Sequence, residues 1–417
     1  MDSIKWMNTM RVYDEYEKRF AEARLKKEFH IPTTDADRDA VIAAVKKMLA
    51  YDEALLPTIG DMEEISLTKR ESYDVIQLRY QTWKGFYGIA SLYMPHGEGK
   101  LPLAFVFPGH GAHGRLTKGY ISMANRLASM GMAVIVPDNI GQGDRTPQGH
   151  WDSIAPFYCG LTLQGMILME SVALIRRMAK HPRVDSTRMG ACGNSGGGTL
   201  CLLLAALAPE LAVLSSSGYP SEFPYILSKE RRHCACNLLP GCVNGPEMWE
   251  ILSTFAPKPL FIEQGKNDDL IPYDLFMRTA RKVEHVYIQL GEKDNFKFAH
   301  TTTVHPWTNA DRTIIAEFLA KHLGITPVAL ENDEDEDLLA LWESWCVPLP
   351  EGSLDTDRLA ESLSGKKMPQ GTVLADIYPP TYKGKPLSQD DIIPDIGRGD
   401  VMKILAQMEC ALKETEN

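Results

Sequence analysis

Apolar and polar positions near the start of the chain repeat with helical spacing. Between residues 35 and 51, Val41, Ile42, Val45 and Leu49 fall on one stripe of a 3.6-residue period, with Asp35 or Asp37 placed to cap it. The period then changes to two. Residues 73–83 and 86–94 alternate as strands do, and Lys84-Gly85 between them predicts a tight antiparallel hairpin. Beyond Pro95 the pattern becomes strand, helix, strand, helix. Strands are predicted at 103–107, at 132–136, in the run leading up to Ser195, and at 211–215, 259–263 and 286–290. Helices are predicted at 120–129, 161–180, 199–207 and 311–323. Short apolar runs alternating with helices indicate strands buried on both faces, hence an α/β fold with a mostly parallel central sheet flanked by helices. Met123, Met130, Met166 and Met169 fall on helix faces and are expected to fill core.

Two regions break the alternation. Residues 216–250, rich in Pro, Gly and Cys, are expected to form an insertion covering the C-terminal edge of the sheet. The end of the chain carries an acidic run at 331–337, then Trp342 and Trp345, then Pro379-Pro380. An acidic run is ordinarily solvated surface, but the tryptophans imply that this extension docks on something. The pattern therefore divides into an N-terminal helical segment (1–70), an α/β core (71–324) and a C-terminal extension (325–417). The extension is expected to act as a lid or as a contact between copies of the chain. No internal repeat is present.

Composition narrows the function. The 417 residues are 44% hydrophobic and 24% charged, the balance of a globular protein. Acidic residues outnumber basic ones, 55 to 44, for a net charge of -11, which argues against a nucleic-acid or anionic-membrane binder. The N-terminus lacks an apolar signal core, and no stretch has the length and apolarity of a membrane span, so a soluble cytoplasmic protein is expected. The eight cysteines are then expected to be reduced thiols. His233-Cys234-Ala235-Cys236, with Cys242 following, places four soft ligands close together. No metal site is expected there, because adjacent His233 and Cys234 point in different directions and no second C-x-x-C pair exists.

The chemistry is concentrated at Gly193-Asn194-Ser195-Gly196-Gly197, a G-x-S-x-G sequence preceded by a strand pattern and followed by a helix pattern. That context is what a nucleophile elbow requires: a sharp turn that exposes the serine oxygen at the sheet edge. A serine hydroxyl is a weak nucleophile and needs a base, a group to orient the base, and donors for the oxyanion. In such folds the acid and then the histidine follow the serine in chain order. Asp268, in the loop after the 259–263 strand, is the expected acid; its neighbour Asp269 is the alternative, with either also able to cap the helix that begins near Tyr273. The expected base is His305, with His300 the alternative. His30, His150, His181 and His322 lie away from predicted strand ends and are expected at the surface. The oxyanion hole is assigned to the N–H groups of Gly196 and of His110, in Pro108-Gly109-His110-Gly111. Gly111, Asn194 and Arg145 are the candidate substrate-binding residues; Asp144 beside Arg145 equally allows an internal ion pair. One rival pattern exists. Residues 109–114 match G-x-G-x-x-G, and Asp138 ends the next strand, as at a dinucleotide site. Pro108 and two histidines crowd that turn, and a nucleotide site leaves the elbow unexplained.

With these residues assembled, the chain resembles the α/β-hydrolase superfamily, and within it the acetyl xylan esterase-like branch of bacterial hydrolases. The resemblance spans about residues 85–323. It rests on FPGHG, DNIGQGDR, GNSGGGT, HCACNLLPG, APKPLFIEQGKNDDLIP and VHPWTN. The last is similar to a glycine-histidine-x-tryptophan signature with valine in place of glycine, which favours His305. Residues before 85 and after Gly324 have no counterpart in it. The resemblance implies hydrolysis of a small-molecule carboxylic ester, such as an acetyl ester of a sugar or metabolite, through an acyl-enzyme and without a cofactor. Carbon–carbon hydrolysis, lyase or peptidase chemistry on the same triad and a non-catalytic binding module are the alternatives.

Overall fold

The computed structural model describes residues 31–151, 153–228, 235–327, 338–377, 381–382 and 385–386. Its centre is a nine-stranded sheet. In chain order the strands are β1 (Met62–Lys69), β2 (Tyr73–Gln81), β3 (Tyr87–Pro95), β4 (Leu101–Phe107), β5 (Ala133–Pro137), β6 (Val184–Asn194), β7 (Val213–Ser217), β8 (Leu260–Gly265) and β9 (Phe296–Thr301). They lie side by side in the order β1-β2-β3-β5-β4-β6-β7-β8-β9. The first three form an antiparallel meander, β3 pairs antiparallel to β5, and β5 through β9 run parallel. β4 from Pro102 and β6 from Met189 onward are buried on both faces because helices cover both.

Two hydrophobic clusters sandwich the sheet. One is built on the helices Lys118–Ser129 and Asn309–His322, with Leu127, Ile315 and Leu319 fully buried. The other lies under the helices Leu163–Met178, Gly196–Leu207 and Tyr273–Gln289, with Met166, Met169, Leu204 and Phe276 fully buried. The four core methionines expected from the pattern are all buried. The first helix, Asp35–Leu49, packs into this second cluster through Val45 and Leu49. Thr34 supplies its cap, and Asp35 and Asp37 stand in the first turn instead, where their charge complements the helix dipole.

Two elements differ from expectation. The segment assigned as helical through residue 70 contains β1, an edge strand half exposed along its length, so its alternation is weak. Residues 286–290 are the end of the helix Tyr273–Gln289 and not a strand. Val286 and Tyr287 are buried and Ile288 exposed, a stripe that a five-residue window cannot distinguish from a strand. The last strand is β9, whose mixed sequence Phe-Lys-Phe-Ala-His-Thr carries one strongly buried side chain.

The C-terminal extension, where described, packs on this same chain. Trp345 is 1% exposed, and its indole N–H donates to Thr68 Oγ1 on β1. The Trp342 indole donates to Leu116 O, and its ring stacks on His113 at 3.7 Å. No helix among the described residues is long and apolar enough to cross a membrane. Among them, no two cysteines are bonded.

Candidate active site

The end of β6 delivers Ser195 to the rim of the sheet. Its φ of 58° and ψ of -119° make it, with Ala50, one of two non-glycine residues of positive φ among those described. Such a backbone costs on the order of 1–3 kcal/mol and persists only where its surroundings enforce it. Here they do. Ser195 N–H donates to Ser217 O on β7, and the helix Gly196–Leu207 starts at the next residue. The turn is tight enough to exclude side chains: a Cβ on Gly197 would lie 1.8 Å from Phe107 O, and one on Gly196 would lie 2.7 Å from His110 Nδ1. The Gly196 position is therefore pressed against the oxyanion-loop residue that the sequence pairs with it.

His305 sits in the loop between β9 and the closing helix. Its Nδ1 is 2.7 Å from Asp268 Oδ2, and its Nε2 is buried with no hydrogen-bond partner among the described residues. A methyl group at Gly218 would stand 3.3 Å from both His305 Cε1 and Ser195 N, so the imidazole and the serine border one small space. Asp268 Oδ1 accepts from the backbone N–H groups of Leu270 and Ile271, at 2.7 and 3.1 Å. Burial pushes the Asp268 carboxyl up, but hydrogen bonding and charge from His305 and the two backbone donors outweigh it and hold it below the ordinary range. An ionised acid accepting from Nδ1–H leaves the Nε2 lone pair as the base. Asp269 is exposed, and His300 lies on β9 with its Nδ1 3.0 Å from Tyr273 OH. The structure thus brings Asp268 and His305, of the alternatives, to Ser195.

The oxyanion loop is held from several sides. Gly109 N–H donates to Tyr120 OH at 2.7 Å, and Asn139 Nδ2 donates to Pro108 O at 2.8 Å. A Cβ on Gly109 would lie 2.9 Å from Ser195 Cβ. Gly111 N–H donates to Gln142 Oε1, so it is spent on fixing the loop and is not a substrate contact. His110 borders the elbow: a Cβ on Gly196 would lie 3.5 Å from its backbone N.

Two further candidates are corrected. Arg145 is fully buried: its Nη1 and Nη2 grip Glu170 at 2.6 and 2.9 Å, its Nε donates to Gln148, and Nη1 also reaches Asp138 O. Four of its five N–H donors are so engaged inside the protein, and the side chain is fully buried, so it holds structure and does not face a substrate space. Asp144 does not pair with it but with Arg115, which also binds Asp138 and the carbonyl of Trp345. A carboxylate so engaged also removes Asp138 from any ribose-binding role. Asn194 is buried and donates to His305 O at 3.1 Å, so it ties the histidine loop to the elbow. His233 and Cys234 lie outside the described residues.

One acidic group was not foreseen. Glu263, on β8, is 2% exposed, with Thr301 Oγ1 3.4 Å from its Oε1. Burial, reinforced by the negative charge of Asp311, pushes its carboxyl up to about 8. In sequence it is the one charged residue of the strand Leu-Phe-Ile-Glu-Gln-Gly, the signal of a buried carboxyl.

An elbow serine, a histidine after the last strand and a carboxylate after β8, on a mostly parallel sheet, decide the fold family. The chain has the α/β-hydrolase fold. Residues 60–234 match the acetyl xylan esterase (AXE1) family, a stretch containing Ser195 and the oxyanion loop. The Bacillus subtilis (strain 168) protein YtaP, a hydrolase by name, is 24% identical over 205 residues, covering 48% of this chain and 69% of its own. Among solved structures, the methylesterase BT1017 superposes with a TM-score of 0.66 at 21% identity, over 84% of this chain and 78% of its own. A glucuronoyl esterase from Solibacter usitatus gives 0.54 at 15% identity, over 70% and 94%. Family match and site geometry together support, for this chain, a serine hydrolase that cleaves carboxylic esters.

Proposed function

We propose that the protein hydrolyses a small acyl ester carried by a sugar or sugar-like metabolite, through an acyl-enzyme on Ser195. His305 Nε2 takes the proton from Ser195 Oγ as the oxygen attacks the ester carbonyl. Asp268 stabilises the imidazolium that forms. The N–H groups of Gly196 and His110 receive the oxyanion, a contribution worth on the order of 3 kcal/mol per donor. The imidazolium then protonates the leaving alcohol, and water, deprotonated by the same nitrogen, releases the acid. No cofactor is needed for any step.

The observation that carries this reading is the forced positive φ of Ser195 beside a histidine whose other nitrogen is bound to a buried, ionised aspartate. The sugar is suggested by Trp151, 50% exposed, whose ring lies 5.8 Å from that of His110 and gives a stacking face beside the oxyanion loop. The similar proteins named as acetyl xylan esterase, methylesterase and glucuronoyl esterase all act, by name, on esters. The test is turnover of nitrophenyl acetate, acetylated xylo-oligosaccharides and methyl uronates, with fluorophosphonate labelling mapped by mass spectrometry. Label on Ser195 and release of acetate support the reading. Label elsewhere, or no hydrolysis of any ester, removes it.

A further inference from the structure

We propose that His110, His150 and Cys236 form a binding site for one zinc ion that clamps the covering insertion to the oxyanion loop. The Nε2, Nε2 and Sγ atoms of the three all lie within 4.8 Å of one another. His110 Nε2 is 3.0 Å from His150 Nε2 and 3.2 Å from Cys236 Sγ. The residues come from three separate segments: the loop after β4, the loop after β5, and the short turn Ala235–Asn237 of the insertion. Local sequence does not bring them together; only the tertiary fold does.

The chemistry of the donors selects the ion. His150 Nδ1 lies 2.7 Å from Ile140 O, and a carbonyl can only accept, so the proton sits on Nδ1 and Nε2 presents a lone pair. A backbone acceptor behind a ring of this kind is the usual outer support of a metal-bound histidine. Two imidazoles and a thiolate suit Zn²⁺ and disfavour Mg²⁺ or Ca²⁺, which take oxygen ligands. Around a tetrahedral zinc with bonds of about 2.0–2.1 Å to nitrogen and about 2.3 Å to sulfur, donor separations are roughly 3.3 Å for N–N and 3.6 Å for N–S. The two spacings from His110 need widen by only a few tenths of an ångström, and the third, between His150 and Cys236, is no more than 4.8 Å. His150 and Cys236 are 2% and 4% exposed, so the site is sheltered. No fourth ligand is offered among the described residues, which leaves one position for water or a substrate oxygen. Binding replaces the Cys236 thiol proton, which goes to solvent, by the metal. It also fixes the remaining proton of His110 on Nδ1, the ring nitrogen nearest Gly196.

His150 is thereby corrected from a surface residue to a buried ligand. Of His233-Cys234-Ala235-Cys236, the cluster uses Cys236 with two distant histidines in place of the local set.

The experiment uses the full chain and reads metal, not turnover, so its failure leaves the esterase proposal standing. Elemental analysis of the purified protein is expected to find about one zinc per chain. After chelator treatment and dialysis, Co²⁺ titration is expected to give a thiolate-to-cobalt charge-transfer band with intense tetrahedral visible bands. Cys236→Ser is expected to abolish the charge-transfer band, and His150→Gln to weaken Co²⁺ affinity at least roughly tenfold. Wild-type protein without zinc that also gives no thiolate–cobalt band on titration overturns the proposal, with no variant required to fold. So does an unchanged band in Cys236→Ser, or unchanged affinity in His150→Gln.

Discussion

Single residues carry the proposed chemistry, and several leave a signal in the sequence alone. Ser195, Gly196 and Gly197 were marked by the elbow spacing, because only glycine fits where a Cβ would lie within 1.8 to 2.7 Å of other atoms. The choice of His305 over His300 needed the resemblance at VHPWTN, and the geometry agrees with it. Ser195→Ala is expected to lower kcat for nitrophenyl acetate by roughly 10⁴-fold or more, with the fold intact by circular dichroism. His305→Ala is expected to match it, whereas His300→Ala stays within a few-fold of wild type. Equal loss in both histidine variants, or loss in His300→Ala alone, removes His305 as the base. Asp268→Asn is expected to cost roughly 10⁴-fold, because it removes the charge that fixes the imidazole tautomer. The substrate-binding candidates were misjudged for a physical reason. A charged or amide side chain near a sheet edge looks the same in sequence whether it faces a substrate or another buried group.

At the scale of elements, polar side chains such as Arg145 lock loops to helices. Its guanidinium joins the loop after β5 to Glu170 on the helix Leu163–Met178. Arg145→Ala leaves Glu170 buried and unpaired, and a loss of about 3–5 kcal/mol is expected in urea unfolding. A substrate-binding arginine would instead raise KM while leaving the unfolding midpoint in place. The helix Leu338–Trp345 is a second lock. Trp345→Ala empties a fully buried site beside Tyr93, whose ring centroid lies 6.2 Å away, and removes the bond to Thr68. Destabilisation of about 3–5 kcal/mol is expected, read by thermal unfolding. An unchanged melting temperature would mean that the extension does not dock as described. The tryptophans announced docking in the sequence, but not their target. The missed strand β1 and the true last strand β9 are the two edges of the sheet, and each buries too few side chains to show as an apolar run.

For the molecule as a whole, Glu263 makes stability depend on pH. Its folded carboxyl titrates near 8, against an ordinary value of 4.5. Between those values the native state holds a proton that the unfolded chain has released. Raising the pH through that window therefore destabilises the protein, and its stability is greater near pH 5 than near pH 8 on this account. Glu263→Gln keeps the neutral shape and removes the titration. It is expected to flatten the decline and to gain on the order of 3 kcal/mol at neutral pH. Unfolding free energies measured from pH 5 to 8 on both proteins check this; parallel curves would count against a protonated Glu263.

Sequence by itself determined the architecture and the order of the proposed catalytic parts. Periodicity depends on local burial, and the elbow depends on glycines adjacent in the chain, so both leave a linear trace. Tertiary structure decided which polar groups face the substrate space and which face each other. It sent Arg145 to Glu170, Asn194 to the histidine loop, and Cys236 to two histidines from separate loops. Those pairings join residues tens of positions apart, and the partner of a buried polar group is fixed by the packing of layers, which no local pattern encodes.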